Sequence, residues 1–312
     1  PAGYYSPEVE PSTSGGRTLV LTHTNHTNEN VADVLLEDDR LIEVSWDGEI
    51  VWEWVASDHI DELGFDAHAR AAIRAAPGFS RPRGSLDWLH INSATYVGPN
   101  RWYDDGDERF APGNVLISSR QASVVAIVDH DDGSIAWRLG PDYRESEETQ
   151  AIRQVIGQHH VHLIPKGLPG AGNVMIFDNG GSSGYGQPSA IAPDGLGIHA
   201  RSNSRILEID PVSLELVWSY SRPGQFFSSN ISSAQRLPNG NTLITEGASG
   251  RLFEVTGEDE IVWEYMHPVF TGPGGRNAIY RGYRLPYAWI PQLEAPIEVA
   301  VEAPALGEFR VR

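Results

Sequence analysis

The 312-residue chain contains no cysteine. That excludes disulfides, thiolate metal centres and cysteine nucleophiles. Basic residues are scarce: 23 Lys+Arg stand against 42 Asp+Glu, a formal net charge of −19. Nucleic acid and anionic lipid are held by clustered basic side chains, so neither is an expected partner. No apolar run reaches the roughly 18 residues of a spanning helix. GxSxG, P-loop and HExxH motifs are missing, and no convincing EF-hand loop occurs. No metal or cofactor is expected. An anionic substrate would have to be held by local cations, against the charge of the whole. The acidic surface suits export, so a periplasmic or extracellular location is expected, with an upstream signal or anchor that this sequence does not display.

Turns and aromatics are plentiful, with 32 Gly, 21 Pro, 9 Trp and 11 Tyr. They belong to a repeat. LIEVSWDGEIVWEW (41–54), VAIVDHDDGSIAW (125–137), ILEIDPVSLELVWSY (206–220) and LFEVTGEDEIVWEY (252–265) are each a hairpin whose second strand carries a Trp. GNVLISS (113–119), GNVMIFD (172–178) and GNTLITE (240–246) precede three of them. HINSATYV (90–97), HHVHLIP (159–165) and ISSAQRLP (231–238) come before those. Four antiparallel strands per repeat make a propeller blade. The fold class is therefore all-β, a β-propeller of four-stranded antiparallel blades with short helical insertions.

The marker residues Trp54, Trp137, Trp218 and Trp263 are 83, 81 and 45 residues apart. The last spacing is a bare blade, and the others contain insertions. Residues 66–76 and 146–156 read as the inserted helices. Four blades are legible, the first without its innermost strand. A C-terminal stretch (YRGYRLPYAWI, then PIEVAVEA) would add part of another or close the ring, which suggests five or six. Residues 1–16 read as an extension, 17–290 as the propeller and 291–312 as a C-terminal strand segment.

In a propeller the first strand of each blade lines the axis, where several blades converge on one ligand. Counting back from Pro165 and Pro238 puts His159 and Ser232 in equivalent positions, and likewise His162 and Gln235. His90 opens the matching strand of the second blade. Imidazole serves as nucleophile, general base or ligand, so the cluster of His159, His160 and His162 with His90 is the leading candidate. Alternation places His160 and His162 on one face and His159 on the other. Arg120, ending a second strand, presents a fork suited to oxyanions. Asp87, Trp88, Asn92 and Ser93 flank His90 as residues that would orient or dock a substrate, and Gln158 precedes His159 as a further substrate contact. His23 and His26 lie in a polar stretch that reads as a loop, and the glycines of 180–186 read as a flexible rim loop.

DWLHINS (87–93), NVLISSRQASVVAIVD (114–129), GQHHVHLIP (157–165), GNVMIFDNGG (172–181) and SSAQRLPNGNTLITEGASGRLFEV (232–255) together resemble the arylsulfotransferase family that works without a nucleotide sulfate donor. The resemblance implies sulfuryl transfer from an aryl sulfate ester to a phenol through a sulfohistidine, with His159 as nucleophile and His90 and Arg120 holding the sulfuryl oxygens. It departs from the family pattern at Gln158-His159-His160 and in an early histidine: either His23 or His26 substitutes for it, or the position is absent. Two other readings stand beside it. One is a polysaccharide lyase using a His base, Arg120 and one of Tyr96, Tyr185 or Tyr280. The other is a non-catalytic binding or assembly propeller.

Overall fold

The computed structural model describes residues 3–4, 16–78, 86–185, 200–272, 274–294 and 297. Within them, sixteen strands form four separate four-stranded antiparallel sheets, each in sequence order. The first comprises β1 (Gly3–Tyr4), β2 (Arg17–Asn28), β3 (Ala32–Ser45) and β4 (Ile50–Val55). The second holds β5 (Ile91–Tyr96), β6 (Val115–Ser119), β7 (Val124–Val128) and β8 (Ile135–Leu139). The third holds β9 (His159–Leu163), β10 (Val174–Asp178), β11 (Arg205–Ile209) and β12 (Leu216–Tyr220). The fourth holds β13 (Ser233–Arg236), β14 (Thr242–Glu246), β15 (Arg251–Val255) and β16 (Ile261–Met266). These are the blades read from the repeat, and the chain is a β-propeller. The chain clusters into two compact units, 1–282 and 283–312, and all four blades belong to the first.

Two readings of the sequence need correction. Blade one does have a first strand, because Gly3–Tyr4 pairs with Val20 and Leu19 of β2. The polar stretch with His23 and His26 is strand, not loop: it forms the end of β2, paired with β3. Its threonines are β-branched and suit an extended backbone whatever their polarity. The C-terminal stretch forms no strand over 279–290, and PIEVAVEA lies almost wholly outside the described residues.

The core lies between blades. One apolar cluster joins Leu19, Leu41 and Trp54 of blade one to Ile117, Val124 and Ala126 of blade two. Equivalent clusters join blades two and three, and three and four. Every residue of β6, β7, β10 and β14 is buried, because both faces of these middle strands are covered. The marker tryptophans add a polar lock. The indole N–H of Trp54 donates to the Gly133 carbonyl at 3.0 Å, Trp137 to Pro211 at 2.8 Å and Trp218 to Gly257 at 3.2 Å. Each bond reaches the outer turn of the next blade. Trp263 differs: it is 37% exposed and stacks on Tyr265 of the same strand.

The lock gives a direct expectation. Trp137→Ala should cost about 3–5 kcal/mol, the range for emptying a buried aromatic site. Trp46→Ala, at an 85% exposed position, should stay within about 0.5 kcal/mol. Urea unfolding midpoints of the two variants measure this, and equal losses at both positions would contradict the interblade role.

The insertions are helical as expected. α1 (Ala67–Ala75) begins where the Asp66 carboxylate accepts from the Ala69 N–H. A second helical turn, α2 (Arg101–Asp104), was not foreseen. α3 (Glu147–Ile152) starts with a capping box of Ser146 and Thr149. Among the described residues no helix is long and apolar enough to cross a membrane.

Candidate active site

The first strands of blades two, three and four lie side by side, β5 beside β9 and β9 beside β13. Side chains stitch them together. Asn92 Nδ2 donates to the Gln158 carbonyl at 2.7 Å, the Val161 N–H to Ser93 Oγ at 3.3 Å, and the Ala234 N–H to His160 Nδ1 at 3.3 Å. At the start of these strands opens a cavity of about 360 Å³, within the range of small-molecule sites. His90, Arg120 and His159 line it together, with Ser182, Ile231 and Tyr280 among the remaining wall residues. The three residues singled out as catalytic, from three different repeat elements, therefore face one space.

The backbone around the cavity is strained. His90 (φ 51°), His160 (φ 49°), Ile231 (φ 52°) and Ser232 (φ 90°) all take left-handed conformations. For a β-branched residue such as Ile231 this is a true outlier, and such strain collects at functional sites. The bend at His90 explains a misplacement. Trp88 points away from the cavity, fully buried in the core, with its indole N–H on Asp38 Oδ1 at 2.7 Å.

His159 is 3% exposed. Its Nδ1 lies 2.8 Å from Asn179 Oδ1 and 3.1 Å from the Gly157 carbonyl, and its Nε2 accepts from the Ile231 N–H at 3.2 Å. Burial, with Arg120 and His90 nearby, pushes its pKa down to about 4. The ring is thus neutral at physiological pH, with its lone pair on Nε2. His90 has a different partner: its Nδ1 bonds the Asp87 carboxylate at 2.5 Å, which leaves Nε2 as its free edge. Arg120 Nη2 donates to Ser182 Oγ at 3.1 Å. That serine lies in the glycine-rich stretch read as a flexible rim loop, whose described residues, 180–185, are buried or half-buried in the wall. A Cβ on Gly181 would sit 1.8 Å from the Ser229 carbonyl oxygen, so no larger residue fits.

The remaining sequence candidates lie outside the cavity lining. Gln158 is buried and donates to the Ser119 and Val124 carbonyls at 2.9 and 3.0 Å. His160 and His162 share a face, as alternation requires, with ring centroids 4.5 Å apart. Burial lowers both pKa values, that of His162 to about 4. Ser232 Oγ donates to Ser228 Oγ at 2.8 Å and accepts from the Gly247 N–H. Gln235 sits on β13 opposite Leu243, in the register of His162. His26 bonds Asp38 at 2.8 Å and His23 faces Glu37, so neither reaches the lining. Of the tyrosines, Tyr96 bonds Glu43, Tyr185 is core, and Tyr280 lines the cavity.

One neighbour of His159 carried no assigned role in the sequence: Asn179. Asn179 had a legible signal. It follows the second strand of blade three as Arg120 follows that of blade two, so the repeat brings both to the same end of the sheet.

Two histidines and an arginine thus meet in one cavity of a propeller. The match of the arylsulfotransferase (ASST) family model to residues 10–269 shows that the chain belongs to that family. No curated protein matches it. Solved structures similar to it include a protein of unknown function from Bacteroides caccae (12% identity, TM-score 0.39, 81% of this chain and 58% of that one). Others are BamB from Moraxella catarrhalis (14%, 0.33, 82% and 55%) and quinohemoprotein alcohol dehydrogenase ADHIIG from Pseudomonas putida HK5 (13%, 0.40, 85% and 40%). The chain spans about half the length of these structures.

Proposed function

We propose that the chain transfers a sulfuryl group from an aryl sulfate ester to a phenolic acceptor through His159. The observation that carries this reading is a neutral, buried His159 with a bare Nε2, sharing one cavity with His90 and Arg120. In the first half-reaction the Nε2 lone pair attacks sulfur and the S–O(aryl) bond breaks. Arg120 pairs with the sulfuryl oxygens, a local cation in a chain of net charge −19. His90 enters this step doubly protonated, with Nδ1–H on the Asp87 carboxylate, and gives its Nε2 proton to the departing phenolate, which leaves it neutral. In the second half His90 takes the proton of the acceptor phenol. The phenol oxygen attacks sulfur, the Nε2–S bond breaks, and His159 is restored. Two separate displacements by a histidine nucleophile predict ping-pong kinetics.

Intact-protein mass spectrometry after mixing with 4-nitrophenyl sulfate tests this. A gain of about 80 Da, with release of 4-nitrophenol and loss of the mass on adding a phenol, is the expected result for a covalent sulfuryl intermediate. Folded protein that gives neither adduct nor phenol sinks the proposal. Tyr280 in the same wall favours one second reading, uronate polysaccharide cleavage, in which a His–Tyr pair abstracts a proton beside a carboxylate held by Arg120. Partial burial raises the Tyr280 pKa, so its hydroxyl keeps its proton and would act as the acid. New unsaturated ends absorbing in the ultraviolet would mark that outcome.

A further inference from the structure

We propose that Asn179 is a positioning residue that holds His159 in its neutral Nδ1–H tautomer and so keeps the Nε2 lone pair unprotonated at the cavity wall, where the Ile231 N–H holds it until substrate takes that place. The functional part of this rests on the sulfuryl-transfer reading; the tautomer rests on hydrogen bonding alone. Two oxygens face Nδ1, the amide oxygen of Asn179 at 2.8 Å and the Gly157 carbonyl at 3.1 Å. Neither carries a hydrogen, so only a protonated Nδ1 satisfies them. On the other edge of the ring the Ile231 N–H points at Nε2, which only a bare nitrogen can accept.

The amide of Asn179 cannot be turned round. Its Nδ2 donates to the carbonyls of Ser228 at 2.8 Å and Ile231 at 2.9 Å. A flip would set Oδ1 against two carbonyl oxygens and the NH2 group against the Nδ1 proton. Asn179 is fully buried, and its own carbonyl accepts from Ser204 Oγ at 2.8 Å. The three residues make a closed circuit. Asn179 Oδ1 accepts from His159, His159 Nε2 accepts from Ile231, and the Ile231 carbonyl accepts from Asn179. The circuit spans blades three and four and uses the strained backbone of Ile231 to close.

The choice of an amide matters chemically. His90 has a carboxylate at Nδ1, whereas His159 has a neutral oxygen. A carboxylate there would favour the imidazolium, which has no lone pair with which to attack sulfur. An amide oxygen orients the proton without taking it. The sulfuryl adduct therefore keeps its Nδ1 proton, and in the second half-reaction the ring departs as neutral imidazole rather than as an imidazolate. A wrong tautomer is known to be costly for a catalytic histidine, and partners of this kind typically contribute 10–100-fold.

The test is a long-range proton–nitrogen correlation spectrum of the 15N-labelled full chain, with His159→Gln to assign the signal. At pH 7 the unaltered protein should show His159 protonated at Nδ1 and bare at Nε2; the reverse pattern overturns the proposal without any variant. Asn179→Ala should then show a mixture of tautomers and a kcat lower by roughly 100-fold, with KM nearly unchanged. Asn179→Asp should move the acid limb of the kcat profile to higher pH, because the carboxylate favours the protonated ring. A folded Asn179→Ala with the original tautomer and full kcat removes the role. An Nδ1–H signal in a protein that turns over no aryl sulfate supports the tautomer and sinks the sulfuryl-transfer reading instead.

Discussion

His159→Ala is expected to lower kcat for aryl sulfate by about 10⁴-fold or more and to abolish the mass adduct, since loss of a covalent nucleophile removes the whole two-step route. The other two cavity residues should fail differently. Arg120→Gln removes one partner of the charged oxygens, an effect of about 10²–10³ in kcat for oxyanion contacts. It also removes ground-state binding, so KM should rise with it. His90→Gln removes the proton donor, worth about 10²–10⁴ for general acid–base groups. That loss should depend on the ester. A 4-nitrophenolate leaves readily without a proton, so the variant should approach normal rates with that donor and fall far behind with sulfates of unactivated phenols. A His159→Ala protein that retains turnover within tenfold would place the nucleophile elsewhere. A His90→Gln defect of equal size for good and poor leaving groups would remove it as the acid.

The repeat explains why so much of this site could be read before the structure. Blade register aligned His159 with Ser232 and His162 with Gln235; the observed pairings agree for His162 and Gln235, opposite Met175 and Leu243, whereas an extra residue in β9 sets His159 opposite Phe177, whose counterpart Thr245 pairs with Ser233. Arg120 was visible because a charged residue ends a strand that is otherwise apolar and small. The failures have local causes. Trp88 is a chain neighbour of His90, but the left-handed turn at His90 sends the two side chains to opposite destinations. Asn92, Gln158 and His160 are polar at an axial strand, yet their bonds tie neighbouring strands to each other and none of the three lines the cavity. Sequence alternation cannot separate those two uses of a polar side chain. Asn179 stands level with Arg120 in the repeat, but its bonds go to another side chain and to backbone, so its repeat position alone did not single it out. The polar stretch holding His23 and His26 misled because polarity was weighed above the β-branched character of its threonines.

Acid should destabilise the fold, and His162→Gln should relieve part of the loss. Burial depresses the pKa of His162 and of His159 from 6.5 to about 4, and that of His160 well below its usual value. An unfolded chain takes up these protons below about pH 6.5, while the folded one refuses those of His159 and His162 until about pH 4. The unfolded state therefore binds more protons across that window, and stability falls as pH drops from 6.5 to 4. A shift of this size corresponds to about 3 kcal/mol for each of His159 and His162. Asp39 acts in the opposite direction, because burial raises its pKa and its protonation on acidification relieves a buried charge. A single-site comparison cancels that effect. Gln is the substitution to use at position 162, because blade four already carries Gln235 at the equivalent point of its first strand. At pH 7 the variant should be at most slightly weaker than the parent, through altered packing against His160. By pH 4 it should have gained about 3 kcal/mol relative to it. Urea unfolding at half-unit intervals measures the difference directly. Parallel stability curves for parent and variant between pH 7 and pH 4 would mean that His162 is protonated in the folded chain, and that its place beside His160 does not exclude charge.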